Sequence, residues 1–171
     1  MTFLISIVSC DKIKKEIFNS FSTNGGTFDF YVDLVTDTSI TADFAQLSTH
    51  LNVDSIIQAK TNGLFSLNDV TKISLESAEV VINNPDIANN ISNFETGGII
   101  FNTNTNTDPI TIATGTIPDN YSDRFQFQCM DSVNLKDYLR GTELVYLYVA
   151  KARRQTTLPL NCTLNIKLKI E

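Results

Sequence analysis

The chain has 171 residues and a formal net charge of -6, and 42% of its residues are hydrophobic. This length and composition predict one folded domain and exclude a disordered chain. The acidic balance argues against a nucleic-acid partner, because nucleic-acid-binding proteins present a basic surface. No apolar run approaches the ~20 residues that a membrane-spanning helix needs.

The first residues resemble the end of a secretory signal peptide. Residues 3–8 form an apolar run, Ser9 is small, and Cys10 follows directly. Such a run before a cysteine is typical of a lipobox, in which the cysteine becomes the lipidated N-terminus. The pattern predicts a residual signal peptide over residues 1–9, then the lipidated Cys10 and a tether over residues 10–26. No basic segment precedes the apolar run, and a strand with a buried cysteine is the alternative interpretation.

The first part of the remaining chain predicts one strand, one loop and one helix. Residues 27–35 alternate apolar and polar side chains, which predicts a half-buried strand. Residues 36–42 are rich in Thr, Ser and Asp and predict a loop or a weak strand. Asn52 precedes a short apolar-periodic segment, so we expect a helix that begins there and ends near Lys60.

The middle of the chain predicts a bulged strand and a short helix. Residues 72–83 alternate, but the alternation changes phase, which predicts a β-bulge near Ser77. Residues 87–96 place three apolar side chains at near-helical spacing and predict a short helix. These side chains are Ile87, Ile91 and Phe94.

The last part of the chain is the richest in strand signals. Strands over residues 99–101 and 109–113 form a hairpin in this prediction, and residues 125–129 form another strand. Residues 143–150 are apolar on both faces, which predicts a central strand that is covered on both sides. Residues 160–170 alternate without interruption. The pattern therefore predicts an all-β chain with short helices, in which residues 27–171 form an antiparallel β-sandwich, immunoglobulin-like or jelly-roll-like.

This layout resembles the small β-sandwich lipoproteins of Bacteroidota. The resemblance is carried by Cys10 and its linker, by residues 70–78 opening a strand, and by the turn at residues 133–139 before two long final strands. It covers most of residues 27–171. It implies a palmitate-bearing lipid anchor in the outer membrane, and it implies no settled activity for any residue.

No arrangement of residues in the sequence predicts catalysis. The one histidine is His50, and the G-x-S-x-G, P-loop and H-E-x-x-H motifs are all missing from the sequence. Residues 102–108 alternate oxygen-bearing side chains as a calcium loop does, but only Asp108 is charged, so we interpret them as a solvated turn. We therefore expect no catalytic residue, no metal and no cofactor.

The two cysteines beyond Cys10 have two interpretations. Cys129 and Cys162 both fall on the apolar phase of their predicted strands, so both are expected to point into the core. An exported protein could oxidise such a pair to a disulfide. Two buried free thiols are the alternative, because sequence alone does not give the separation that a disulfide requires.

Two surface features are candidates for binding. Lys151, Arg153 and Arg154 form a basic cluster that could pair with an acidic partner or with lipid headgroups. Protection of a strand end is the alternative interpretation. Tyr31 and Tyr121 are the aromatic candidates for a carbohydrate platform, with packing as the alternative.

The sequence therefore predicts a non-catalytic cell-envelope lipoprotein. Its expected role is an accessory or binding module for an outer-membrane protein complex or a surface glycan. A pilus-like or adhesive subunit is the alternative, in which an exposed first or last strand pairs with a neighbouring molecule. A hydrolase is less favoured, because no nucleophile and base can be paired in the sequence.

Overall fold

The structure, a computed structural model, describes residues 18–171. Nine strands form two antiparallel sheets that pack face to face as a sandwich, which confirms the predicted fold class. The strands are β1 Phe21–Val32, β2 Thr41–His50, β3 Ile73–Ile82, β4 Phe94–Thr103, β5 Ile110–Thr116, β6 Arg124–Gln126, β7 Gln128–Cys129, β8 Glu143–Ala152 and β9 Leu160–Ile170. The α-helix α1 spans Val53–Lys60, and single 3₁₀ turns cover Ile91–Asn93 and Tyr138–Arg140.

The strand order is of the jelly-roll type. One sheet has the order β1-β9-β3-β6, and the other has the order β2-β8-β4-β5-β7. The first four strands alternate between the two sheets, as the strands of a jelly roll do. The segment that holds β6 and β7 crosses from one sheet to the other at Phe127, whose backbone N–H donates to Ala78 O at 2.9 Å.

The first strand begins earlier than the sequence predicted. The expected tether reached residue 26, but β1 already pairs with β9 at Phe21. Gly25 and Gly26, at the end of the expected tether, lie at a β-bulge inside the strand. A Cβ atom at Gly25 would lie 2.7 Å from Ile166 Cγ2, so only glycine fits against β9. The predicted bulge in β3 is confirmed between Leu75 and Ser77.

Two other predictions on the strands and helices were wrong. The edge strand β2 was missed beyond residue 42, because its Thr- and Ser-rich sequence has only a weak apolar phase. The helix predicted over residues 87–96 is a single 3₁₀ turn before β4. Ile91 and Phe94 are buried there, but Ile87 is 94% exposed.

The last two long strands hold the centre of each sheet. β9 is paired along its length with β1 on one side and with β3 on the other, so the last strand is not an exposed edge. β8 lies between β2 and β4, as predicted for a central strand. Its inner side chains Tyr146 and Tyr148 are fully buried, and their rings pack at a tilt against those of Phe28 and Phe30 of β1. Within residues 18–171, its other face is not covered.

Candidate functional site

The four loops at one end of the sandwich form the candidate site, which we call the loop end. They are residues 33–40, 83–93, 117–123 and 153–159. The opposite end, the base end, contains α1, the segments 61–72 and 130–142, and the start of the described chain at Phe18. The ring of Phe18 contacts that of Phe65 edge-on at a centroid distance of 5.1 Å, which places Phe18 at the base end.

Asn89 joins two of these loops. Its side-chain Nδ2 donates to both carboxylate oxygens of Asp86 at 3.0 Å and to Thr157 Oγ1 at 2.9 Å. Its Oδ1 accepts from the backbone N–H groups of Thr157 and Leu158. The residue is 1% exposed, and every polar atom of its amide has a partner. Burial of such a group stabilises a single loop conformation, because any other conformation leaves the amide unsatisfied.

Asn93 makes a second connection between the same loops. Its Nδ2 donates to Ala88 O at 2.9 Å and to Gln155 O at 3.0 Å, and its Oδ1 accepts from Asn90 N–H. Asn90 in turn caps the 3₁₀ turn through Ser92 N–H and Oγ. The reciprocal pair of side-chain-to-backbone bonds between Asn90 and Asn93 is a capping box.

The remaining two loops are attached by backbone and hydroxyl groups. Val35 exchanges hydrogen bonds with Thr156: its N–H donates to the buried Oγ1 at 3.0 Å, and its carbonyl accepts from Thr156 N–H. Ile91 N–H donates to Ser122 O at 3.0 Å. All four loops are therefore joined into one continuous hydrogen-bonded surface.

The predicted basic cluster lies at this end and makes contacts within the chain. The Arg153 guanidinium donates to the carbonyls of Ser92, Phe94 and Ile117 at 2.8–3.1 Å. Arg154 forms an ion pair with Asp119. Lys151 forms a 2.9 Å ion pair with Glu95 on the outer face of the second sheet. The two arginines thus connect the β8–β9 loop to the loops of residues 83–93 and 117–123.

The loop end exposes most of the large apolar side chains that reach solvent. Of the eight such side chains among the described residues, six lie in these loops or on the adjoining end of β1. They are Tyr31, Leu34, Ile40, Ile87, Tyr121 and Leu158. The other two, Leu64 and Met130, lie at the base end. Because exposed apolar side chains grouped on a rigid support mark interaction sites, the loop end is the best candidate for a binding surface.

The surroundings of these apolar side chains are acidic. The four loops contain the aspartates Asp33, Asp37, Asp86, Asp119 and Asp123, against Arg153 and Arg154. Hydrogen bonds from Asn89 hold the pKa of Asp86 below its ordinary value. The Ser39 hydroxyl does the same for Asp37, and the Arg124 guanidinium does so for Asp123. These carboxylates stay charged at neutral pH and favour a partner with a basic rim.

The other predicted site residues lie elsewhere. Cys10 and the lipobox fall outside the described residues. Cys129 and Cys162 are both free cysteines: Cys162 is buried, and Cys129 is half-buried against the core. Burial raises the pKa of the Cys162 thiol to about 12. His50 lies on the outer edge strand opposite Glu143.

Tyr31 and Tyr121 are both more than half exposed and lie at the loop end, although they are in different segments. Residues 102–108 cover the end of β4 and most of the turn that leads to β5, in which Thr103 Oγ1 accepts from Asn106 N–H. Over residues 18–171, no group of three metal-ligating side chains is close enough to hold an ion. Nor does that part of the chain contain a helix long and apolar enough to cross a membrane.

The comparison with known proteins gives structural likeness only. No family model matches the chain, and no curated protein matches it. The VP2 subviral particle of infectious bursal disease virus is similar over 89% of this chain and 32% of that chain, with a TM-score of 0.37 and 10% identity. Turnip yellow mosaic virus is similar over 90% of this chain and 94% of that chain, with a TM-score of 0.23 and 16% identity. The chain spans about a third of the VP2 chain, and neither likeness is close enough to carry an inference about function.

Proposed function

We propose that this protein is a non-catalytic lipoprotein of the cell envelope, anchored in the outer membrane by lipid on Cys10. Its role is that of an accessory or binding module for another envelope protein, or for a surface glycan. The observation that carries the proposal is the loop end, where six of the eight exposed large apolar side chains of residues 18–171 lie in the four joined loops or on the adjoining end of β1. The sandwich beneath it serves to hold these loops in place.

The position of the chain's attachment supports this role. Phe18 is at the base end, so a lipid on Cys10 would hold the base end near the membrane. Residues 11–17 span at most roughly 25 Å when fully extended. The loop end would then face away from the membrane that carries the anchor, where it can meet a partner.

The chemistry of the loop end favours a protein partner over a lipid surface. Its aspartates would repel anionic headgroups, so insertion of Ile87 and Leu158 into such a membrane is disfavoured. A protein with an apolar pocket and a basic rim would match both the apolar and the acidic groups. Because hydrogen bonds already fix the loops, such a partner would bind with little additional cost in conformational entropy.

A pilus-like or adhesive subunit is the alternative function, and one observation favours it. β1 is an edge strand of its sheet, so its outer side is available to a strand from a neighbouring molecule. β9 is paired on both sides and does not offer such an edge. Fibre formation through β1 would yield ladders of crosslinked copies instead of one foreign partner.

The test is a crosslinked pull-down from membranes of a host that processes lipoproteins, with intact-mass measurement of the captured chain. The wild type is compared with Ile87→Ser/Leu158→Ser at the loop end. The matched control is Leu64→Ser/Met130→Ser at the base end, where the same number of exposed apolar side chains is removed.

The expected result is an acylated Cys10 and one stoichiometric envelope partner. Wild type and control should retain that partner. The loop-end variant should capture at least about tenfold less of it, which corresponds to a loss of about 1.4 kcal/mol in binding free energy. A chain that keeps Met1 and an unmodified Cys10 would rule out the lipid anchor. Equal capture by both variants would rule out the loop end, and a ladder of self-crosslinked chains would support the fibre.

A further inference from the structure

The outer face of the β2-β8-β4-β5-β7 sheet carries an apolar stripe. Val145, Leu147 and Val149 of β8 and Ile100 of β4 point away from the core and are half-buried. An antiparallel sheet that faces water normally places polar side chains on that face. Since β8 has the sequence of a strand covered on both sides, a second layer over this stripe would complete the pattern.

The stripe has a polar rim and a depression. Threonines from β2 and β5 flank it, and Gln46 and Gln128 lie at its margins. A shallow depression of about 430 Å³ extends across β8, β4 and β5 on this face, and Gly98, Val149 and Thr114 are among the residues that line it. An apolar centre within a polar rim is the usual composition of a protein–protein interface.

We infer that a second copy of this chain packs face to face on this sheet, related by a two-fold axis that runs parallel to the strands between β8 and β4. The inference does not depend on the proposed function. Gly98 pairs with Val149, and Ile100 pairs with Leu147, across the two strands. The two-fold axis therefore places Val149 of each copy over the Gly98 depression of the other, and Leu147 over Ile100.

The charges at one end of the stripe fit the same arrangement. Lys151 and Glu95 form an ion pair there, at 2.9 Å. The two-fold axis places each pair over the reversed pair of the other copy, so that four charges alternate in sign. The two Glu143 carboxylates lie at the opposite margin, where solvent and salt screen their repulsion.

The size of the face is sufficient for a dimer. Its four longer strands are spaced ~4.8 Å apart and are about 33 Å long, or about 23 Å for β5, so they offer a surface of the order of 600 Å². A stable interface buries about 800 Å² of accessible surface on each partner, which is comparable. An antiparallel dimer centred on β8 would instead place Val149 of one copy against Val145 of the other. Asn102 would then lie over the Gly98 depression of the other copy, which is a poorer fit.

The first experiment measures the mass of the full chain in solution by light scattering, with reductant present and Cys10 unmodified. We expect twice the 19.0 kDa of one chain at micromolar concentration. Leu147→Lys should raise the dissociation constant at least about 100-fold, because it buries an unpaired charge at the interface. Leu158→Lys at the loop end is the matched control and should remain dimeric.

Thermal unfolding of each variant, measured at a concentration where all are monomeric, shows that the fold is retained. A wild-type chain that is monomeric at 100-fold higher concentration would overturn the inference. So would a Leu147→Lys variant that dimerises as well as Leu158→Lys.

The second experiment tests the direction of the strands, in a full chain that carries Cys10→Ser and Cys129→Ser. In the inferred dimer, Glu143→Cys lies close to its own counterpart, so a short bis-maleimide should join the two copies. In an antiparallel dimer, the same positions would be about 26 Å apart, since eight residues separate Glu143 from Lys151. If crosslinks formed only when the Glu143→Cys chain is mixed with the Lys151→Cys chain, that result would overturn the parallel arrangement.

Discussion

The two ends of the sandwich differ in how many polar side chains their connecting segments bury. At the base end, the connecting segments bury apolar residues under α1: Val53, Ile57, Phe65, Leu67, Val70, Leu135 and Leu139. At the loop end, the connecting segments bury the apolar Val35, Ile91 and Ile117 together with polar residues: Asn89, Asn90, Ser92, Asn93 and Thr156. Five other large apolar residues of these loops, with Ile87 as the extreme case at 94% exposure, lie in solvent.

This difference shows how one fold separates stability from recognition. Apolar packing closes the base end and extends the core, which stabilises the domain. At the loop end, hydrogen bonds add to the packing of Val35, Ile91 and Ile117, because a buried amide fixes a loop without using the loop's exposed apolar side chains. Those side chains remain available to a partner, which is why we assign binding to the loop end.

The largest expected effect comes from making the same substitution, isoleucine to alanine, at each end of the sandwich. Ile57→Ala at the base end should lower the free energy of unfolding by about 2–5 kcal/mol, because Ile57 is fully buried. Ile87→Ala is the matched control at the loop end and should change it by less than about 0.5 kcal/mol. Chemical denaturation of both variants measures the difference. A comparable loss in the two would mean that the loop end also depends on its apolar side chains for stability.

A smaller effect is expected from the polar network. Asn93→Ala removes three hydrogen bonds and leaves the carbonyls of Ala88 and Gln155 without their partner, so we expect a loss of about 1–3 kcal/mol. Hydrogen exchange should quicken at residues 83–93 and 153–159 and stay unchanged in α1. The control is Asn120→Ala, an exposed asparagine in the neighbouring loop. Faster exchange across the whole sandwich would show that the network is not local to the loop end.

The smallest effect concerns pH. Hydrogen bonds from Asn89 lower the pKa of Asp86 in the folded chain. A lowered pKa stabilises the fold above the unfolded value of ~3.9, and this stabilisation is lost as the pH falls through the lower folded value. We therefore expect the loop of residues 83–93 to loosen below about pH 4, as followed by amide chemical shifts. Asp86→Asn should remove this transition, and its persistence would assign it to another carboxylate.

The strands with a strong alternating pattern were the predictable part of the fold. β9 was predicted at its observed limits, because its apolar phase faces one core along its whole length. The N-cap of α1 was also predicted, since Asn52 Oδ1 accepts from Ser55 N–H as such a cap requires. The phase change in β3 correctly predicted the bulge before Ser77. In each case, the signal is local to the element that it describes.

The loop end could not be predicted, because its contacts join distant segments. Asn89 and Asn93 are polar loop residues in the sequence, and their burial depends on partners more than sixty residues away. Ile87 was assigned to a helix face by its spacing, whereas Asn89 and Asn90 hold the loop so that Ile87 points outward. The basic cluster was noticed, but the hydrogen bonds of Arg153 to the carbonyls of Ser92, Phe94 and Ile117 leave no sequence pattern.

The most direct test of the difference between the two ends is site-specific photo-crosslinking in native membranes. A photoreactive residue is introduced at Ile87 in one variant and at Leu64 in another, both of which are exposed large apolar positions. A crosslink to one envelope protein from position 87, and only background from position 64, is the expected result. A specific crosslink from position 64 with none from position 87 would contradict the assignment of binding to the loop end.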